Sequence, residues 1–239
     1  NVELTSHNVV ATIAGRKKSE EIVSFGAHYD STEFSTGVYD NGAGSVMIME
    51  FLKYFAQNPP LRTVKFMWYG SEEIGLEGSK AYTEAHKKEL EKHLFMVNVD
   101  VGAPVLGVNR CKVMASKELT AFTDIFMKVK GYGVEVSQGI YSSDSVPFAD
   151  HGVPAVNFSR DGAPGASFIH SRGDVMEYLS EEGLGSLMPP LFDYCTALVN
   201  APAFPEKREI PEEIKTEVDK YLFKKECGLL KAQVTIDDE

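Results

Sequence analysis

The sequence predicts an α/β fold layered around a mostly parallel sheet. Short β-branched and aromatic runs alternate with stretches whose apolar residues fall at helical spacing, and Gly, Pro and Asn punctuate the joints. Two β-rich runs open the chain, residues 8–13 and 21–25, with Gly15 and the basic residues 16–18 as a charged turn between them. Residues 42–55 read as a helix, because Ile48, Phe51, Leu52 and Phe55 share one face and Asn58-Pro59-Pro60 stops the run. A strand over 63–69 ends at Gly70, and a helix over 77–90 leads into a strand over 95–99. Residues 117–130 form a helix ended by Gly131, and 153–158 a short buried strand. Residues 179–200 have helical spacing, with Pro189-Pro190 expected to kink or split the helix. No internal repeat is present.

Composition bounds the remaining classes. The 239 residues, 43% hydrophobic and 25% charged, suffice for one domain with a proper core and a small appendage. A net charge of −11 disfavours nucleic acid as a partner, since phosphate binding needs a basic footprint. Mean hydropathy of −0.18 and the lack of a long uncharged apolar run argue against a membrane span. Cys111, Cys195 and Cys227 are too few and too scattered for a disulfide framework or a thiolate metal cluster. The chain opens at Asn1 with no basic-then-apolar leader, which reads as a processed product or an excised piece. Ala201-Pro202-Ala203-Phe204-Pro205 is the expected joint between a main domain, 1–205, and a tail, 206–239. Half of the tail is charged, yet Ile214, Val218, Tyr221 and Leu222 keep a helical stripe, so it is expected to be an amphipathic helix docked on the domain.

Polar residues concentrate where the strands end. The second run leads into Gly26-Ala27-His28-Tyr29-Asp30, and a loop then reaches Asp40-Asn41-Gly42. The strand ending at Tyr69 delivers Ser71-Glu72-Glu73, the one ending at Val99 delivers Asp100, and a Gly/Pro/Ser loop after Phe158 delivers His170. In parallel α/β sheets the carboxyl ends of the strands form the ligand crevice. Separate segments therefore bring two imidazoles and several carboxylates to one edge. Mixed nitrogen and oxygen ligands suit zinc, or manganese or cobalt, better than calcium or magnesium. Each piece alone has a plainer reading: a polar strand end, an Asp-Asn-Gly turn, a pair of glutamates on a solvated face. Their coincidence is what points to a metal site. His7, His86, His93 and His151 lack such surroundings and read as surface residues. Val101, Tyr141, Phe158, Phe168 and Ile169 flank the site residues as candidates for an apolar pocket, and Arg160 as a group that would favour an acidic side chain.

From residue 8 to about 198 the pattern resembles the di-zinc aminopeptidases of metallopeptidase family twenty-eight, whose relatives include glutamate carboxypeptidases and glutaminyl-peptide cyclases. The matching runs are Gly26-Ala27-His28-Tyr29-Asp30-Ser31, Gly37-Val38-Tyr39-Asp40-Asn41-Gly42-Ala43-Gly44, Ser71-Glu72-Glu73-Ile74-Gly75-Leu76-Glu77-Gly78-Ser79 and Val97-Asn98-Val99-Asp100. Ser143-Asp144, Phe148, Gly152-Val153-Pro154 and His170-Ser171-Arg172-Gly173-Asp174 complete them. The resemblance implies a three-layer αβα fold of the zinc-peptidase type, with a mixed, mostly parallel sheet, and makes 1–205 the catalytic domain. It implies two zinc ions, or cobalt or manganese in their place: one on His28, Asp40 and Asp100, the other on Asp40, Glu73 and His170, with Asp40 bridging. Glu72, one residue from a ligand, becomes the general base for a hydroxide bridging the ions. Asp30 would accept the second imidazole N–H of His28, and Tyr141 would hold the oxyanion. Asp174 either supports His170 in the same way or caps a helix, and Asp144 is either a further support or a helix N-cap. The resemblance also implies a cis peptide between Asp40 and Asn41.

The implied activity is removal of the first residue from peptides with a free N-terminus, the α-amine lying near Asp100. An extracellular or cell-envelope location is the family's habit. Two other readings stay open. A glutaminyl-peptide cyclase is a single-zinc transferase, and resembles this chain less at Asp40-Asn41-Gly42 and at the Glu72–Ser79 run. A receptor-like relative would have lost its metals, whereas all five ligand positions and the base are present here. Carboxypeptidase-like relatives carry an inserted dimerisation domain, for which the 70 positions from Asp100 to His170 leave no room.

Overall fold

The computed structural model describes residues 5–102, 104–163 and 168–224. The strands are β1 (Val9–Ile13), β2 (Lys18–His28), β3 (Arg62–Tyr69), β4 (His93–Val99), β5 (Gly107–Met114), β6 (Val134–Gln138) and β7 (Ala155–Gly162). The helices are α1 (Ala43–Gln57), α2 (Glu77–Ala85), α3 (Lys87–Leu90), α4 (Lys117–Lys130), α5 (Ser145–Asp150), α6 (Glu181–Asn200) and α7 (Glu212–Tyr221). All seven strands join one sheet in the order β1-β3-β2-β4-β7-β5-β6. The central pairs β3–β2, β2–β4 and β4–β7 are parallel, as is β5–β6, while β1–β3 and β7–β5 are antiparallel.

The sheet is covered on both faces, which is why its central strands are continuous apolar runs. Every residue of β3 is buried, and alternate side chains go to opposite sides. Val64, Phe66 and Trp68 join the core made with α1, α4 and α6, around Phe51, Leu119 and Leu191. Met67 and Tyr69 join the second core, under α2, α3, α5 and α7, around Tyr82, Leu90, Phe148, Ile214 and Val218. The result is a three-layer αβα sandwich with a mixed, mostly parallel sheet.

Several elements differ from expectation. The helix expected over 77–90 breaks at His86, where the Tyr82 carbonyl accepts both the His86 N–H at 3.0 Å and its ring Nδ1–H at 2.8 Å. Pro189-Pro190 do not split α6, which runs unbroken for 20 residues. Pro190 has no N–H for the Ser186 carbonyl, and the Asn109 side chain donates to it instead at 3.0 Å. Position 185, facing Pro189 one turn earlier, is glycine, so no side chain crowds the ring. Strands β5 and β6 were not expected, although Cys111 and Val113 alternate with Arg110 and Lys112 in the period of a half-buried strand, and helix α5 was foreshadowed only by the N-cap reading of Asp144.

His93 is a further correction. It is fully buried at the start of β4, not on the surface, and its Nδ1 lies 2.6 Å from the Ser24 hydroxyl. Burial pushes its pKa down to about 4, so it is a neutral core histidine. The joint at 201–205 is held by another buried polar group. Arg62 donates to Glu21 at 2.6 Å and to the Ala201 carbonyl at 2.5 Å, and lies 5.3 Å over the Phe204 ring. The tail's described part, to residue 224, includes α7 with Ile214 and Val218 buried in the second core; residues 225–239, Cys227 among them, lie outside the described residues.

Candidate metal centre

The carboxyl ends of β2, β3 and β4 meet at one edge of the sheet. His28 is the last residue of β2, Glu72 and Glu73 follow β3, and Asp100 follows β4 directly. Asp40 sits in a single turn, Val38–Gly42, that leads into α1, and His170 comes from the segment after β7. The structure brings all of these side chains together. His28 Nε2 stands 3.2 Å from an oxygen of Asp40 and 3.2 Å from an oxygen of Asp100. His170 Nε2 stands 3.2 Å from the other Asp40 oxygen and 2.9 Å from Glu73. Two triplets result, His28/Asp40/Asp100 and Asp40/Glu73/His170, each with its ligand-type atoms within 4.8 Å of one another. Asp40 belongs to both.

Backbone devices hold this geometry. The Asp40–Asn41 peptide is cis. The Asn41 side chain ties the turn to β4 by donating to the Val99 carbonyl at 2.8 Å, and accepts the Gly44 N–H at 3.1 Å. A Cβ on Gly44 would lie 2.2 Å from Asn41 Oδ1 and 2.5 Å from the Val99 oxygen, so only glycine lets α1 start this close to β4. Ser71, Leu76, Val101 and His170, none of them glycine, have φ of 57–61°. Such a left-handed residue costs about 1–2 kcal/mol. Leu76, Val101 and His170 line the crevice and Ser71 immediately precedes Glu72, where strain of this kind aims functional groups.

Asp174 takes neither of its expected roles. It is fully buried, and its carboxylate accepts the N–H groups of Val38 and Tyr39 at 2.9 Å and of Asp40 at 3.2 Å, together with the Ser35 hydroxyl. It clamps the turn that carries Asp40, the carboxylate common to both triplets. Asp30 acts in a related way. Its carbonyl lies 3.1 Å from His28 Nδ1 and its carboxylate 3.5 Å from the same nitrogen, while its two oxygens accept the Glu72 and Glu73 N–H groups at 3.1 and 3.2 Å. The expected contact with His28 is therefore shared with a second task, positioning both glutamates. Asp144 occupies the N-cap position of α5 without capping it. Its buried oxygens have no donor in hydrogen-bonding geometry, the nearby Ser79 hydroxyl being turned to the Leu76 carbonyl.

The electrostatics ask for cations. With Nδ1–H of His28 directed at the Asp30 carbonyl, the Nε2 lone pair faces two carboxylate oxygens, a repulsive arrangement unless a proton or metal lies between. Burial resists charging this ring, but Asp100 and Asp40 outweigh it and hold its pKa well above the ordinary value. Burial, then Asp100, pushes Glu72 up to about 9. Burial, then Asp40, pushes Glu73 up to about 7, and Glu73 Oε1 is buried without a partner. Burial drives Asp144 to about 7. Two dications would neutralise the charges of Asp40, Glu72, Glu73 and Asp100 and give the orphaned oxygen a partner. The donor set of imidazole and carboxylate fits zinc.

The crevice, about 400 Å³, is lined beyond these residues by Gly75, Leu76, Val101, Tyr141, Ser142, Ile169 and Tyr221. Of the five residues considered for an apolar pocket, Val101, Tyr141 and Ile169 line it; Phe158 is core, and Phe168 stacks on Tyr178 at 5.1 Å. Arg160 donates to the Pro104 carbonyl and Asn109 at 3.0 Å each, a structural brace that does not line the crevice.

The profile of peptidase family M28 matches residues 8–189. The chain belongs to this family. It is 30% identical over 226 residues to aminopeptidase YwaD of Bacillus subtilis, covering 90% of this chain and 48% of YwaD. Leucine aminopeptidase 1 of Uncinocarpus reesii is 30% identical over 202 residues, covering 72% of this chain and 50% of the relative. The chain thus spans about half the length of these two relatives. Among solved structures, a peptidase M28 precursor from Shewanella amazonensis superposes with a TM-score of 0.75 at 28% identity, covering 87% of this chain and 47% of the other. The zinc aminopeptidase BSAP of Bacillus subtilis gives a TM-score of 0.69 at 27% identity, covering 87% of this chain and 53% of the other. A glutaminyl cyclase from an Acidobacteriales bacterium, 19% identical with a TM-score of 0.71 over 82% of this chain and 74% of its own, shares the fold.

Proposed function

We propose that this chain is the catalytic region of a two-zinc aminopeptidase that removes the first residue of peptides with a free N-terminus. The observation that carries the reading is the pair of ligand triplets sharing Asp40, with Glu72 free beside them in the same crevice. The names of YwaD and BSAP support the same activity. A single-zinc cyclase would need one triplet, and here both are assembled.

His28, Asp40 and Asp100 would hold one ion, and Asp40, Glu73 and His170 the other. Bound there, the ions supply Lewis acidity to the scissile carbonyl and lower the pKa of attacking water toward ~7. Glu72 takes the proton from that water and returns it to the leaving amine. Its Asp30-bound N–H fixes where that carboxylate stands. Tyr141, half-buried in the crevice wall beside Asp100, keeps its hydroxyl protonated because burial and Asp100 hold its pKa well above the ordinary value, so it is a donor for the carbonyl oxygen at any working pH. Asp100 presents negative charge to the substrate's α-amine, and Val101 and Ile169 give the first side chain an apolar surface.

The test is a panel of aminoacyl-p-nitroanilides and matching N-acetylated controls, assayed after chelation and after zinc is restored. Hydrolysis of free-amine substrates alone, dependent on zinc, is expected; cleavage of the acetylated controls at equal rate, or cyclisation of N-terminal glutamine peptides in place of hydrolysis, would refute the reading.

A further inference from the structure

Among the described residues, the crevice contains one from outside the segment matched by the family profile. Tyr221, the last residue of α7, lines it together with Ser142, Gly75 and Leu76. Its hydroxyl lies 2.5 Å from the Ser142 hydroxyl, which fixes the ring against the α5 side of the opening. The helix itself is firmly seated. Ile214 and Val218 are 1% exposed in the second core, and Glu217 accepts the Ile140 N–H at 3.2 Å. Lys224 pairs with Asp150 of α5, and Arg208, ahead of the helix, donates to the Leu90, His93 and His151 carbonyls at 3.1–3.2 Å.

The two walls of the crevice come from opposite layers of the sandwich. Val101 and Ile169 pack with Tyr39 and Ala43 at the start of α1. Leu76 leads into α2, Ser142 precedes α5 and Tyr221 ends α7, all in the second helix layer. The glutamates divide the same way: Glu73 stands 2.9 Å from His170, the neighbour of Ile169, whereas the Glu72 carbonyl accepts the N–H groups of Gly75 and Leu76 at 2.9 and 2.8 Å, two residues that line the crevice with Tyr221. Glu72 therefore works from the wall that carries Tyr221. On the aminopeptidase reading, an amine protonated by Glu72, and the peptide attached to it, would leave along this wall.

We infer that Tyr221 is a specificity-determining residue for the second residue of the substrate, the tail helix forming the surface on which the departing peptide rests. This rests on the aminopeptidase reading. An aromatic ring held by its hydroxyl rewards a large apolar second residue and contributes nothing to glycine there.

The experiment compares wild type with Y221A and Y221F on Leu-Gly-amide and Leu-Phe-amide, on a series of aminoacyl-p-nitroanilides, and in calorimetric binding of the reduced-amide analogues Leu-ψ(CH2NH)-Gly and Leu-ψ(CH2NH)-Phe. Loss of one apolar contact predicts about a tenfold fall in the Leu-Phe over Leu-Gly kcat/KM ratio for Y221A, with the first-residue ranking unchanged and a smaller fall for Y221F, which keeps the ring but loses its Ser142 anchor. The binding ratio should fall in parallel. A uniform fall on every substrate is what a merely structural helix produces, and would overturn the inference, as would an unchanged ratio. Y221L is the substitute if Y221A does not fold, with the same direction expected. If wild type cleaves nothing while Y221A still loses the binding preference, the aminopeptidase reading fails and the role of Tyr221 stands.

Discussion

Replacing Asp174 with Asn tests whether the Asp40 turn is held from a distance. One oxygen of Asp174 accepts two N–H groups at 2.9 Å, and the other accepts the Asp40 N–H at 3.2 Å and the Ser35 hydroxyl. Asn keeps one acceptor and turns an NH2 toward the remaining donors. One buried N–H is orphaned, at about 1–3 kcal/mol, and the two surviving bonds lose their charge assistance, roughly another 1 kcal/mol together. A loss near 3 kcal/mol lowers Tm by about 6–12 °C in a chain of this size. The turn so loosened carries the one carboxylate common to both triplets, so zinc affinity should fall with stability. Thermal melts of the metal-free protein and competition titrations with a chromogenic chelator measure the two effects. D174N with an unchanged Tm and unchanged zinc affinity would refute the reasoning; a lower Tm with unchanged affinity would confine Asp174 to folding.

The pKa directions give two further outcomes. In the metal-free protein at neutrality Glu72, at about 9, is protonated and Glu73, at about 7, is half-protonated, so zinc binding should release protons and tighten as pH rises from 6 to 8. Calorimetry in two buffers of different ionisation enthalpy counts those protons, and none released contradicts the assignment. His93, with a folded pKa of about 4 against about 6.5 when unfolded, is charged more readily in the unfolded chain. Its contribution is complete above pH 6.5 and is lost as pH falls toward 4, about 2 kcal/mol by pH 5. H93Q should flatten the dependence of urea unfolding on pH between 6.5 and 5, and an unaltered slope would place the titration elsewhere.

The candidate ligand residues were legible because each stands at the end of a readable strand or loop. His28, Glu72, Glu73 and Asp100 follow runs of β-formers, and a parallel sheet puts such ends on one edge. What supports them was harder to read. Asp174 acts on backbone 134–136 positions away, and nothing local distinguishes a carboxylate that clamps a turn from one that caps a helix. Tyr221 had a visible place on an amphipathic stripe, but its arrival at the crevice depends on where α7 docks. His93 carries no local sign of burial, since Ser24 reaches it only through the β2–β4 pairing. The prolines of α6 were correctly seen as hazards to a helix; the rescue by Asn109 comes from a strand 77 positions distant.

On the proposed reading Glu72 moves the proton in a site for two ions, and E72Q is the decisive variant. Zinc per chain, by elemental analysis, and turnover of leucyl-p-nitroanilide should be measured on the same preparations of wild type and variant. Two zinc ions retained, with kcat lowered about 10²–10⁴-fold, is the predicted result. A folded E72Q that keeps its zinc and turns over near the wild-type rate would contradict it.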